Sequence, residues 1–170
     1  MLFVGGDQSQ LATPVSDPSF TSFVRAAVQL APVVMTDHAM TAAMGDRYAA
    51  LSDPGPKTLE DQAIADFGVG AVPVAPGLGI VPGASFEPRL TVDYRWGRLY
   101  GISAADPDTI AFGICDGTAI VLQGSSPSVS GTLSVVSVDG RAATFDIGTN
   151  GALAAFNVLV NTYATGDPLA

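Results

Sequence analysis

Pro32-Val33-Val34-Met35-Thr36-Asp37-His38-Ala39-Met40-Thr41-Ala42-Ala43-Met44-Gly45-Asp46-Arg47-Tyr48 is the stretch on which the fold turns. A short β-branched run stops at Thr36-Asp37, and an alanine- and methionine-rich stretch of helical character follows at once. The pattern predicts a strand from Val33 to Met35, a tight turn and a helix. In α/β hydrolytic enzymes such a turn presents a nucleophile, and the helix N-terminus favours nearby negative charge. Here the turn carries Asp37 and His38, with neither serine nor cysteine. Two readings stay open: an altered catalytic or metal-binding pair, or a helix start in which Asp37 accepts amide hydrogens.

Upstream, Leu2-Phe3-Val4 reads as a strand ending in Gly5-Gly6-Asp7-Gln8. A glycine pair after a strand permits a sharp turn and brings amides close to a ligand. Asp7 and Gln8 line a pocket on that reading, or Asp7 caps the turn. Ser16-Asp17-Pro18 opens a helix, with Phe20, Phe23, Val24, Ala27, Val28 and Ala31 at helical spacing. Downstream, two prolines and a glycine between Leu51 and Pro56 predict a loop, and Thr58 to Phe67 a short helix. Gly68 to Pro76 is loop or edge strand. Gly77 to Val81 reads as a short buried strand, and Thr91 to Ala105 as a helix. The last third reads as β: a hairpin across Asp116-Gly117, then strands over 128–138, 142–147 and 153–163. Helices between strands early and hairpins late predict an α/β fold with a mainly parallel sheet and an antiparallel extension.

The 170 residues are read as one domain, 48% hydrophobic with mean hydropathy +0.37, a composition that can fill a core. No apolar run reaches the roughly 18 residues of a membrane span. Met1 to Gly6 lacks the basic start and long apolar segment of a signal peptide, so the expected location is cytoplasmic. The net charge is −9 and Lys57 is the one lysine. That balance disfavours nucleic acid and anionic membranes as partners, since almost nothing would neutralise phosphates. Cys115 alone cannot form an internal disulfide, and no zinc spacing or cofactor motif is present. It reads as a small buried hydrophobe. His38 is the one histidine, so any histidine-dependent step, including one with Cys115 as nucleophile, must use it.

Several segments together resemble cyanophycinase and its relatives in the serine peptidase family that includes dipeptidase E. Phe3-Val4-Gly5-Gly6-Asp7-Gln8-Ser9-Gln10-Leu11 is similar to that family's Thr-Gly-Gly-Asp-Gln segment. Gly77-Leu78-Gly79-Ile80-Val81-Pro82-Gly83 resembles the strand and turn before its histidine motif. Arg95-Trp96-Gly97-Arg98-Leu99 resembles its arginine-rich helix, and Gly113-Ile114-Cys115-Asp116-Gly117-Thr118-Ala119 its Gly-Ile-Asp-Glu-Asx-Thr-Ala hairpin. Order and spacing agree from residue 3 to about residue 125. The resemblance implies a class I glutamine amidotransferase-like fold and a site drawing on Gly6, Asp7, Gln8, Arg95 and Asp116.

The departures fall on the chemistry. The family's Gly-Thr-Ser-Ala-Gly-Ala becomes Met35-Thr36-Asp37-His38-Ala39-Met40, placing Asp37, or His38 one register on, where the serine would be. Its Asp-Gln-His-Phe becomes Glu87-Pro88-Arg89-Leu90, placing Arg89 where the base would be. A serine mechanism needs a hydroxyl beside a base that can take its proton. Arginine, with a pKa above about 12, cannot be that base. Asp37 and Arg89 would instead form an ion pair where the Ser–His pair stood. Arg95 and Arg98 could hold a carboxylate or phosphate, or pair with Glu87, Asp93 or Asp116. The family also carries early strands before its Gly-Gly-Asp-Gln. The expectation is therefore a non-hydrolytic structural, regulatory or composite-site subunit, completed by a second polypeptide or a second copy. The alternative is a hydrolase with rewired chemistry on Asp37, His38 and Arg89, acting on a small acidic or amide substrate. No metal or cofactor is expected.

Overall fold

In the computed structural model, residues 1–52, 59–124 and 126–169 are described. The architecture is mixed α/β, 26% helix and 35% strand. A four-stranded sheet lies at its centre in the order β12-β9-β6-β5, from Leu159–Tyr163, Val135–Asp139, Ile110–Ile114 and Ala84–Pro88. Its central strands β6 and β9 bury apolar side chains on both faces. Phe112, Ile114, Phe86 and Val135 face one core with Ala39, Met40 and Ala43 of α3 (Ala39–Ala43). Ala111, Val136 and Val138 face the other with Leu99 and Ile102 of α5 (Trp96–Ala105). Residues alternating along a strand serve opposite faces, so helices cover both sides.

The mainly parallel sheet expected from the sequence gives way to small, mostly antiparallel ladders. Parallel pairing joins β1 (Leu2–Gly5) to β2 (Met35–His38), and β5 to β6. Antiparallel pairing joins β9 to β6 and β12, β3 (Arg47–Ala49) to β4 (Val74–Pro76), β7 (Thr118–Gln123) to β8 (Ser126–Gly131), and β10 (Thr144–Ile147) to β11 (Leu153–Phe156).

Several boundaries differ from expectation for identifiable reasons. The hairpin across Asp116-Gly117 does not form. Both edges of β6 are occupied, by β5 and β9, so the turn instead hands the chain to the separate β7–β8 ladder. The strand expected over 33–35 begins two residues later, at Met35, and runs to His38, paired with β1 from Leu2↔Met35 to Gly5↔His38. The helix expected to Tyr48 stops at Ala43, and β3 follows. Gly45 passes so close to the backbone of β5 that a Cβ there would lie 2.5 Å from the Ala84 carbonyl oxygen. Gly77 to Val81 is not a strand. The amides of Leu78, Gly79, Ile80 and Val81 bond the carbonyls of Ala43, Gly45 and Met44, terminating α3. The helix expected from Thr91 begins at Trp96, since Tyr94 holds φ +53 and Val92 N–H donates to Asp116. The runs over 128–138 and 153–163 each break in two, at Gly131 (φ +141) and at Asn157 (φ +57).

Other expectations agree with the structure. Helix α2 (Pro18–Leu30) starts on Asp17, whose carboxylate accepts the Ser19 N–H at 2.8 Å. A 3-10 turn (Gln8–Gln10), α1 (Ala12–Ser16) and α4 (Leu59–Ala65) complete the helices described. The proline loop at Pro54 and Pro56 and the helix start at Thr58 lie outside the described residues. Among the described residues, no helix is long and apolar enough to cross a membrane.

Candidate functional site

The β2–α3 junction is a strand-to-helix elbow, and His38 is the residue at its apex. His38 has φ 50 and ψ −124, a combination that side chains adopt only when the surroundings impose it. Two close approaches impose it here. The β1–β2 pairing continues through Gly5↔His38, and α3 begins on the very next residue. Gly5 packs so tightly on the first turn of α3 that a Cβ there would lie 2.7 Å from the Met40 nitrogen. His38 is therefore the residue at the junction between β2 and α3. Asp37, one residue earlier, is an exposed strand residue opposite Val4.

The His38 imidazole meets the Gly6 carbonyl through Nδ1. A carbonyl oxygen only accepts, so Nδ1 carries the proton in that contact. Gly6 is open, with no atom within 4 Å of a Cβ built on it. Asp7 accepts the Ser9 N–H at 2.8 Å and caps the 3-10 turn. Both parallel strands end at this loop and elbow, the edge where open α/β sheets place their ligands.

Behind the loop lies a buried ionic network. Gln8, with no exposed surface, donates from Nε2 to Glu87 Oε1 at 3.1 Å. Arg95 donates to the same oxygen at 2.9 Å and to Asp93 at 2.8 Å. Arg98 donates to Gln8 Oε1 at 3.4 Å and to the Ser52 carbonyl at 2.8 Å, with Asp66 at 3.5 Å. Three elements thus meet: the glycine loop, the end of β5 and the first turn of α5. Arg95 and Arg98 are each 1% exposed, so both serve the interior as structural ion-pair partners. Asp66, at the end of α4, is a member that the sequence did not single out. Its one signal was position, a carboxylate beside a helix end ahead of an arginine-rich segment.

Burial pushes the Glu87 carboxyl up, against the opposing pull of Arg95, Arg98 and Gln8. Burial also works to raise Asp93, but the hydrogen bond from Arg89 and the charge of Arg95 outweigh it and hold Asp93 below the usual carboxylate range. Arg89, at φ +60, donates to both Asp93 oxygens, at 2.7 and 3.1 Å. The ion pair expected between Arg89 and Asp37 is replaced by this one, because Asp93 lies four residues on within the same turn. Asp116 accepts Val92 N–H and Thr91 Oγ1, at 3.2 and 3.3 Å, fastening the segment that precedes α5. Cys115 is buried in the core under α5, on the sheet face opposite α3, so it is not brought to His38.

The arrangement therefore brings together Gly6, Asp7 and His38 at the surface, with Gln8, Glu87 and Arg95 beneath them. It places an imidazole at the turn from β2 into α3. Among the described residues no three or more of His, Cys, Asp and Glu are grouped to hold a metal ion. No protein-family model matches the chain, and no curated protein matches it.

Proposed function

We propose that this chain is a cyanophycinase-like subunit without serine peptidase activity, acting as a structural, regulatory or composite-site component of an oligomer. The observation that supports this reading is the elbow at His38. It has the strand–turn–helix form of a nucleophile elbow, it follows the Gly-Gly-Asp-Gln loop in space as the resemblance requires, and it carries no hydroxyl or thiol. Arg89, at the position of the base, is engaged with Asp93 and cannot accept a proton at neutral pH.

Its assembly follows from the β1–β2 pair. Leu2, Val4 and Met35 lie on one face of that pair and are 60%, 65% and 61% exposed. Parallel strands are ordinarily covered on both faces. Strands from a second polypeptide, or the same face of a second copy, would cover this one beside the His38 site. Incubation with a fluorophosphonate probe and with aspartyl dipeptides tests the activity claim. No labelling and no hydrolysis are expected. Hydrolysis that is lost in His38→Ala would overturn it in favour of a rewired hydrolase.

A further inference from the structure

The two edges of the central sheet are finished differently. At β5 all five residues are buried, and the Ala84 carbonyl already accepts the Asp46 N–H at 2.8 Å. At the other edge stands β12, which pairs with β9 alone among the described residues. Leu159 and Val160 are 56% and 43% exposed, and Thr162 is exposed too. Successive residues of a strand point to opposite faces. Tyr163 lies in the core that faces α3 and Val158 packs against the core that faces α5, so Leu159 shares the first face and Val160 the second. Exposure of both neighbours leaves the edge itself uncovered. Alternate N–H and C=O groups of such a strand point outward and can pair with another chain. Edges are ordinarily blunted by a charge, a proline or a bulge. Leu159-Val160-Asn161-Thr162-Tyr163 holds no charge and no proline, and its one-to-one register with β9 leaves no bulge.

We propose that β12 is an interface for a second copy of this chain, joined antiparallel across a twofold axis at Asn161. A twofold contact requires the strand to match only itself. Its full-length antiparallel register sets Leu159 beside the partner's Tyr163, Val160 beside the partner's Thr162 and Asn161 beside the partner's Asn161. Aliphatic meets aromatic, β-branched meets β-branched, and two amides exchange hydrogen bonds, all pairs that favour strand association. Charge selects the same place. Two copies of net charge −9 repel, and they meet with least repulsion where neither strand carries a charge. The four-stranded sheet of each copy then continues into that of the other. A five-residue edge is small beside the roughly 800 Å² per partner of a standard interface, so the association is weak and depends on concentration. It is separate from the β1–β2 face and does not rest on the function proposed above.

The full chain carrying Val4→Asp, which disables the β1–β2 face, isolates this contact. Sedimentation velocity of that chain from micromolar to millimolar concentration should show a monomer–dimer equilibrium. Val160→Lys added to it places a charge at the edge and should raise the dissociation constant about tenfold. The unfolding midpoint should stay near the parent's, because Val160 is partly exposed. Directly opposed residues of an antiparallel pair have Cα atoms about 4.5–5.5 Å apart, inside the disulfide range. Asn161→Cys should therefore form a covalent dimer under mild oxidation, and Leu159→Cys, set beside the partner's Tyr163, about tenfold less of it. Cys115 is buried and stays out of that reaction. A Val4→Asp chain that is monomeric throughout, an equilibrium unchanged by Val160→Lys, or cross-linking with no preference for Asn161→Cys over Leu159→Cys would each overturn the proposal.

Discussion

Gln8 donates a hydrogen bond to Glu87 from 79 residues away, at 3.1 Å and wholly out of solvent. The glycine loop is thereby fixed to the end of β5. Arg95 holds Glu87 from the other side at 2.9 Å, so loop, strand and helix share one buried carboxylate. Removing one member of a buried ion pair leaves the other uncompensated, which costs about 3–5 kcal/mol. Arg95→Met should therefore destabilise the chain by about that amount in urea unfolding. A loss under about 1 kcal/mol would show that the network is not a stability determinant.

The two network carboxylates make opposite contributions with pH. Asp93 is lowered in the folded state, so its contribution is present above the ordinary carboxyl value of 3.8 and is lost as pH falls through the lowered one. Glu87 is raised, so its contribution is present below the ordinary value of 4.5 and is lost as pH rises toward the raised one. Asp93→Asn should flatten the fall in stability below pH 3.8 and leave a residual slope. Asp139, lowered by its hydrogen bond from Arg141, supplies part of that residue. Denaturant unfolding at stepped pH gives both slopes, and an unchanged acid limb in Asp93→Asn would refute the assignment.

Gly5 and Gly6 are neighbours with different duties. A Cβ at Gly5 meets the Met40 backbone nitrogen at 2.7 Å, whereas one at Gly6 meets nothing within 4 Å. Gly5→Ala should cost roughly 1–3 kcal/mol through forced movement of α3. Gly6→Ala should stay within about 0.5 kcal/mol. Equal effects of the two substitutions on the thermal midpoint would contradict the close packing of loop on elbow.

The exposed β1–β2 face predicts association. Covering Leu2, Val4 and Met35 is worth about 1.5–3 kcal/mol for each side chain fully removed from water. Size-exclusion chromatography with light scattering should give a mass above the 17.2 kDa of one chain. Val4→Asp should shift it toward the monomer, since it sets a second carboxylate opposite Asp37 in the covered face. A monomer at all concentrations, with cooperative unfolding, would contradict the assembly.

Local patterns were legible where chain neighbours decide the outcome. Asp17-Pro18 starts α2 because the cap and the proline act within one turn. Asn150-Gly151 turns β10 into β11 for a similar reason. Long-range choices were hidden. Asp116-Gly117 has every local mark of a hairpin, but β6 had already filled both edges. The elbow could be located by its strand-to-helix change, yet its register could not, because Gly5↔His38 pairing fixes the apex. Arg95 as a partner of Glu87 and Asp93 was among the alternatives readable from the sequence. Arg98 beside Asp66 was not, since only the packing of α4 on α5 makes them neighbours.

The most direct test of the account is hydrolysis of aspartyl dipeptides by the purified full chain, read beside His38→Ala under the same conditions. An imidazole at the elbow and an arginine in place of the base predict no release of amino acid above the buffer rate from either protein. Turnover by the parent chain that disappears in His38→Ala would contradict the central claim and make the elbow a working active site.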